Sequence, residues 1–143
     1  MVPFPSHPVA MSPFLSQLVL DERLRPWRCG AALLMFSLII MLGAIPGART
    51  ELGNVASGIV LHAVAYSCVT FLLYTGCAGS SAQRAAKAVL TVTAMGAFDE
   101  LVQSFLPYRH GALADWLIDV SAALLTAGLL WALLPIPDRQ REG

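Results

Sequence analysis

Four stretches of this chain, Cys29 to Ile45, Val55 to Ala78, Ala85 to Leu106 and Ala112 to Leu134, are long enough and apolar enough to cross a bilayer. A helix needs about 20 predominantly apolar residues for that. Lipid offers backbone N–H and C=O groups no partners, so each span must satisfy its own by forming a helix. The chain is therefore expected to be all-α, an integral membrane four-helix bundle. Composition agrees, since 57% of residues are hydrophobic and 13% charged, the latter about half the share usual in soluble proteins.

Charge placement sets the expected topology. Arg23, Arg25 and Arg28 precede the first span, Arg84 and Lys87 separate the second from the third, and Arg139 and Arg141 follow the fourth. The other two connections hold one arginine each, Arg49 and Arg109. By the positive-inside rule both termini are expected in the cytoplasm, with the loops after spans one and three outside. Three regions follow: a flexible proline-rich arm with a juxtamembrane segment over 1–28, the four-helix domain over 29–134, and a cytoplasmic tail over 135–143. The first span follows a basic flank more than twenty residues into the chain, and is expected to be retained rather than cleaved as a signal peptide. A net charge of zero gives no basic field for nucleic acid. Cys29, Cys68 and Cys77 form no CxxC pair and read as structural. Trp27, Tyr74 and Trp131 at one boundary, with Tyr108 and Trp116 at the other, are expected to form interfacial belts.

Within this apolar frame the segment Asp99 to Asp119, DELVQSFLPYRHGALADWLID, is anomalous. Translocon scales put one Asp at a bilayer centre at roughly 2.5–3.5 kcal/mol, so an ionisable group there is a candidate functional residue with a partner to be named. Counted along helices rising about 1.5 Å per residue, His62, Asp99, Glu100 and Asp119 fall on one level, on the order of 10 Å inside the outer face. His62 with Tyr66, Asp99 with Gln103, and Asp115 with Asp119 are i,i+4 pairs, so each helix is expected to present one polar stripe to the bundle interior. Asp99, Glu100, Asp115 and Asp119 face one permanent cation, Arg109, and two histidines. Either one carboxyl keeps its proton or an external cation completes the site. Arg109 suits bidentate capture of a carboxylate or phosphate. The expected ligand-binding set is His62, Tyr66, Asp99, Glu100, Gln103, Arg109, Asp115 and Asp119. Pairing that only fixes helix register is the competing reading.

Tests against catalytic templates return no HExxH, GxSxG, phosphate-binding Gly loop or CxxC pair. His62, Glu100 and Asp119 could ligate a metal chemically, but no ligand-spacing motif supports it, and neither a metal nor a cofactor is expected.

The run Glu100-x-x-Gln103-x-Phe105-x-Pro107-x-Arg109, followed by Asp115 and Asp119, together with His62-x-x-x-Tyr66 one span earlier, resembles the signature of the VanZ-like membrane proteins. The resemblance extends over Leu52 to Leu134 and implies a multi-pass protein of the bacterial cytoplasmic membrane. Its founding member is associated with resistance to the glycopeptide teicoplanin. The family pattern often has asparagine where this chain has Asp119, which enlarges the negative surplus here. The leading expectation is an outward-facing polar pocket that binds the head group of an envelope component or lipoglycopeptide, with the lipid bilayer as the constant partner and the oligomeric state open. Alternatives are an intramembrane enzyme acting on a lipid-linked envelope precursor, with Glu100 or Asp119 as general base, and a proton-coupled transporter.

Overall fold

The computed structural model describes residues 19–47, 57–108 and 111–134. A 3-10 turn, Glu22–Leu24, leads into α1, Arg25–Gly43; α2 is Gly58–Gly76, α3 Ser81–Ser104 and α4 Leu113–Leu133. No strand occurs among the described residues. The protein is an all-α bundle, and α1, α2 and α4 are long and apolar enough to span a membrane. At 24 residues α3 has the length as well. It carries Arg84, Lys87, Asp99 and Glu100, and is the least apolar of the four.

Local signals explain the boundaries. Pro26 sits in the first turn of α1, where its missing N–H costs nothing. Ser57 caps α2, and Ser80 with Gln83 forms a reciprocal capping box on α3. The α4 N-cap, Ala112, has no capping side chain of its own. Helix α1 begins at Arg25, four residues before the expected span. The arm over 1–18 and the tail over 135–143 lie outside the described residues.

Helix α2 is the hub: it packs against α1, α3 and α4, while α3 and α4 pack extensively on each other. The core combines Tyr66, Val69, Leu73 and Tyr74 of α2 with Ala32, Ala88, Val92, Met95 and Ala123. Small residues let the helices approach, which matters in lipid because packing and polar contacts, rather than water exclusion, hold such bundles together. Thr70 and Thr75 are fully buried, and return their hydroxyls to the Tyr66 and Phe71 carbonyls. Large apolar side chains such as Leu34, Met41, Val64, Leu90, Leu125 and Leu129 point outward, as a lipid-facing surface requires.

The two ends of the bundle differ. At one end Arg28 donates to the Thr75 carbonyl from Nε (3.1 Å) and Nη2 (2.9 Å), and from Nη2 to the Asp21 carbonyl (2.8 Å). Arg84 Nε donates to Gly79 O (2.8 Å) and Lys87 Nζ to Ala78 O (2.9 Å). These cations close the C-terminal end of α2, where exposed carbonyls concentrate negative partial charge. At the opposite end the turns after α1 and α3 meet, and the Tyr108 hydroxyl donates to the Ala44 carbonyl.

Candidate functional site

The polar residues converge at the end of the bundle opposite the basic one. His62 is four residues into α2, Glu100 and Asp99 are four and five residues before the end of α3, and Asp119 is six residues into α4. That is roughly 6–9 Å along the helices, shallower than the sequence count because α2 begins only at Gly58 and α3 ends at Ser104, short of Pro107.

Each i,i+4 pair faces inward. Tyr66 and Asp119 are fully buried, Asp99 is 1% exposed, Gln103 3% and Asp115 8%, while His62 and Glu100 are half-buried. His62 Nδ1 lies 2.9 Å from Asp119 Oδ1, tying α2 to α4. Tyr66 donates its hydroxyl to Asp99 Oδ2 at 3.2 Å, tying α2 to α3. The His62 and Tyr66 rings stack with centroids 6.0 Å apart, so the two couples stand side by side on one face of α2.

Glu100 does separate work. Its Oε2 accepts from the Ala112 N–H at 2.5 Å, supplying the cap that α4 lacks in its own sequence. The chain returns very close to α3 here: a Cβ on Gly111 would lie 2.7 Å from the Glu100 carbonyl oxygen. Asp115, in the first turn of α4, is 8% exposed and lies one turn before Asp119 on the same face. Helices α3 and α4 approach through Gly96, where a Cβ would stand 3.0 Å from Asp119 Oδ2 and 3.2 Å from Trp116 Cδ1. Trp116 donates its indole N–H to the Thr93 carbonyl at 3.0 Å.

A cavity of about 280 Å³ lies between α1, α2 and α3 at this end. Ile39, Leu42, Leu61 and Ala65 form apolar walls, Gly43 and Gly58 stand at the helix ends, and His62, Tyr66, Asp99 and Gln103 supply its polar lining. Asp119 is not among the lining residues; it stands behind His62. Three buried carboxylate oxygens, Asp99 Oδ1, Glu100 Oε1 and Asp119 Oδ2, have no hydrogen-bond partner among the described residues, and such orphans mark a strain reservoir, a catalytic role or an unfilled ligand position.

Seven of the eight expected site residues thus come together. Arg109 lies outside the described residues, as does His110. No group of three or more metal-ligating side chains with metal-site geometry occurs among the described residues. Sequence reasoning missed the apolar half of the cavity, because Ile39, Leu42 and Leu61 look like any lipid-facing residues in a span. Two aromatics also differ from expectation: Tyr74 is fully buried and Trp116 is engaged with α3. Depth along a helix is readable from residue counts, whereas direction around it depends on the neighbours. Arg28 and Arg84, read from sequence only as topology signals, are themselves buried.

No family model, no curated protein and no solved structure matches this chain.

Proposed function

We propose that this is a membrane-embedded binding protein whose cavity takes the head group of an envelope component or of a lipid-anchored glycopeptide. The observation that carries the reading is Asp99 Oδ1, a buried carboxylate oxygen without a partner among the described residues, in a residue that lines an otherwise largely apolar cavity. Leaving such an oxygen unsatisfied is costly. A ligand that donates to it would recover that cost. The basic end of the bundle supports cytoplasmic termini by the positive-inside rule, so the cavity would face outward in a bacterial cytoplasmic membrane. The VanZ-like resemblance of the same residues points the same way and suggests a link to glycopeptide resistance.

Titration of purified protein in nanodiscs with a panel of envelope lipids and lipoglycopeptides tests this reading. Saturable binding is expected for the wild type and loss of it in Asp99→Asn, with the helical content unchanged. Equal binding by both proteins would remove the pocket assignment.

One observation favours a second reading, an enzyme acting on a lipid-linked precursor. Asp119 engages His62 Nδ1 and leaves Nε2 of a cavity-lining imidazole for a substrate, the carboxylate-oriented arrangement of a general base. With Asp119 behind His62 and Glu100 capping α4, His62 takes the base role in this reading. Turnover of a labelled precursor that disappears in His62→Gln would establish it; binding without turnover across the panel would exclude it.

A further inference from the structure

We infer that the cavity between α1, α2 and α3 selects a primary ammonium carried on an aliphatic body, seated with its nitrogen on Asp99. The inference rests on the binding reading above and specifies its ligand class. Three observations narrow the chemistry. Asp99 is 1% exposed, its Oδ2 accepts from Tyr66, and its Oδ1 has no partner among the described residues, so Oδ1 is the acceptor a ligand would take. Asp119 is engaged by His62, the one cation-forming side chain among the described residues that line the cavity, which leaves Asp99 as the carboxyl in the lining that no basic side chain among them pairs with. Among the described residues no Lys or Arg lines the cavity. A phosphate or carboxylate seated at Asp99 Oδ1 would meet like charge at contact, whereas a cation that carries donors complements that oxygen.

The walls decide which cation. A metal ion strips its water only for several oxygen or nitrogen ligands, and the described residues hold no such group. Ile39, Leu42, Leu61 and Ala65 instead suit methylenes. Leu42 lines the cavity while 49% exposed, so an aliphatic chain has a way out along α1 onto the bundle surface. An ammonium brings three donors and its own charge, which a neutral hydroxyl of the same chain length does not.

The test uses n-octylamine, with n-octanol and n-octanoate as chain-matched probes, on the full chain in nanodiscs at pH 7. Thermal unfolding and calorimetric titration are the readouts. Octylamine is expected to bind about tenfold or more tightly than octanol, with octanoate weakest. In Asp99→Asn the preference for amine over alcohol is expected to vanish, while Ala65→Phe, which keeps Asp99 and fills the apolar part, should weaken both probes. Equal affinities of amine and alcohol for the wild type would overturn the inference without any variant, and so would an amine preference that survives Asp99→Asn. If amine preference is absent but the envelope panel still binds in an Asp99-dependent way, the ammonium class is wrong and the binding reading stands. If neither binds, both fall.

Discussion

His62 Nδ1 and Asp119 Oδ1 stand 2.9 Å apart and join α2 to α4 across the polar level of the bundle. Asp119 is fully buried while the His62 side chain keeps 14% exposure, so the carboxylate depends on the imidazole more than the reverse. Replacing His62 by Leu is expected to destabilise the protein by about 2 kcal/mol, between the values for a membrane hydrogen bond and for a broken buried pair. Converting both residues to Leu should cost less than His62→Leu alone, because no orphaned charge remains. Reversible unfolding in mixed micelles, run as a double-mutant cycle, checks the sign.

Close approach at Gly96 leads to a second expectation. Any side chain there must displace Asp119 or Trp116. Gly96→Val should cost about 1–3 kcal/mol, the usual range for overpacking, and shift the tryptophan emission. Gly128, with nothing within 4 Å of its would-be Cβ, is the matched control, and Gly128→Ala should be silent in both measurements.

Arg28 is expected to act as a clamp between α1 and α2 rather than as a topology signal alone. Its guanidinium donates three hydrogen bonds to carbonyls of Thr75 and Asp21. Arg28→Ala should lose about 1.5–3 kcal/mol, the range for charge-assisted hydrogen bonds. Arg28→Lys should recover only part, since a single ammonium cannot reproduce the planar fork. Unfolding midpoints of the two variants in detergent make the comparison.

Orientation is open to direct labelling. Pro107, beyond the polar end, and Ala82, at the basic end, are both exposed. In a background with Cys29, Cys68 and Cys77 replaced by serine, Pro107→Cys should react with an impermeant thiol reagent on intact cells, and Ala82→Cys only after lysis. The reverse pattern would turn the cavity toward the cytoplasm.

Capping of α4 by Glu100 makes a last prediction. Glu100→Gln keeps an acceptor for the Ala112 N–H and should cost less than 1 kcal/mol, whereas Glu100→Ala removes the cap and should cost about 1 kcal/mol. Hydrogen exchange at the first turn of α4 would separate the two, with faster exchange for Ala.

The helices themselves were legible in the sequence. Each apolar run became one, because lipid leaves the backbone no other way to satisfy its hydrogen bonds. The polar level was legible too: i,i+4 spacing put Asp99 with Gln103 and Asp115 with Asp119 on single faces, and those faces are buried. Pairing was not. Four carboxylates at similar depth allow many partnerships, and nothing local says that Asp119 takes His62, Asp99 takes Tyr66 and Glu100 caps the next helix.

Sequence by itself therefore determined the class of fold, the helix limits to within a few residues, the asymmetry of charge between the ends and the residues that share the polar level. Those follow from periodicity, hydropathy and rise per residue, which are properties of single segments. Tertiary structure decided the rest: which acid meets which partner, that Asp119 retreats behind His62, and that Ile39, Leu42 and Leu61 wall a cavity with Asp99 in its lining. Such choices depend on how each helix is rotated against its neighbours. That rotation is fixed by contacts between segments, including the approach of α4 to Gly96 and the return of the chain at Gly111, which no single segment encodes.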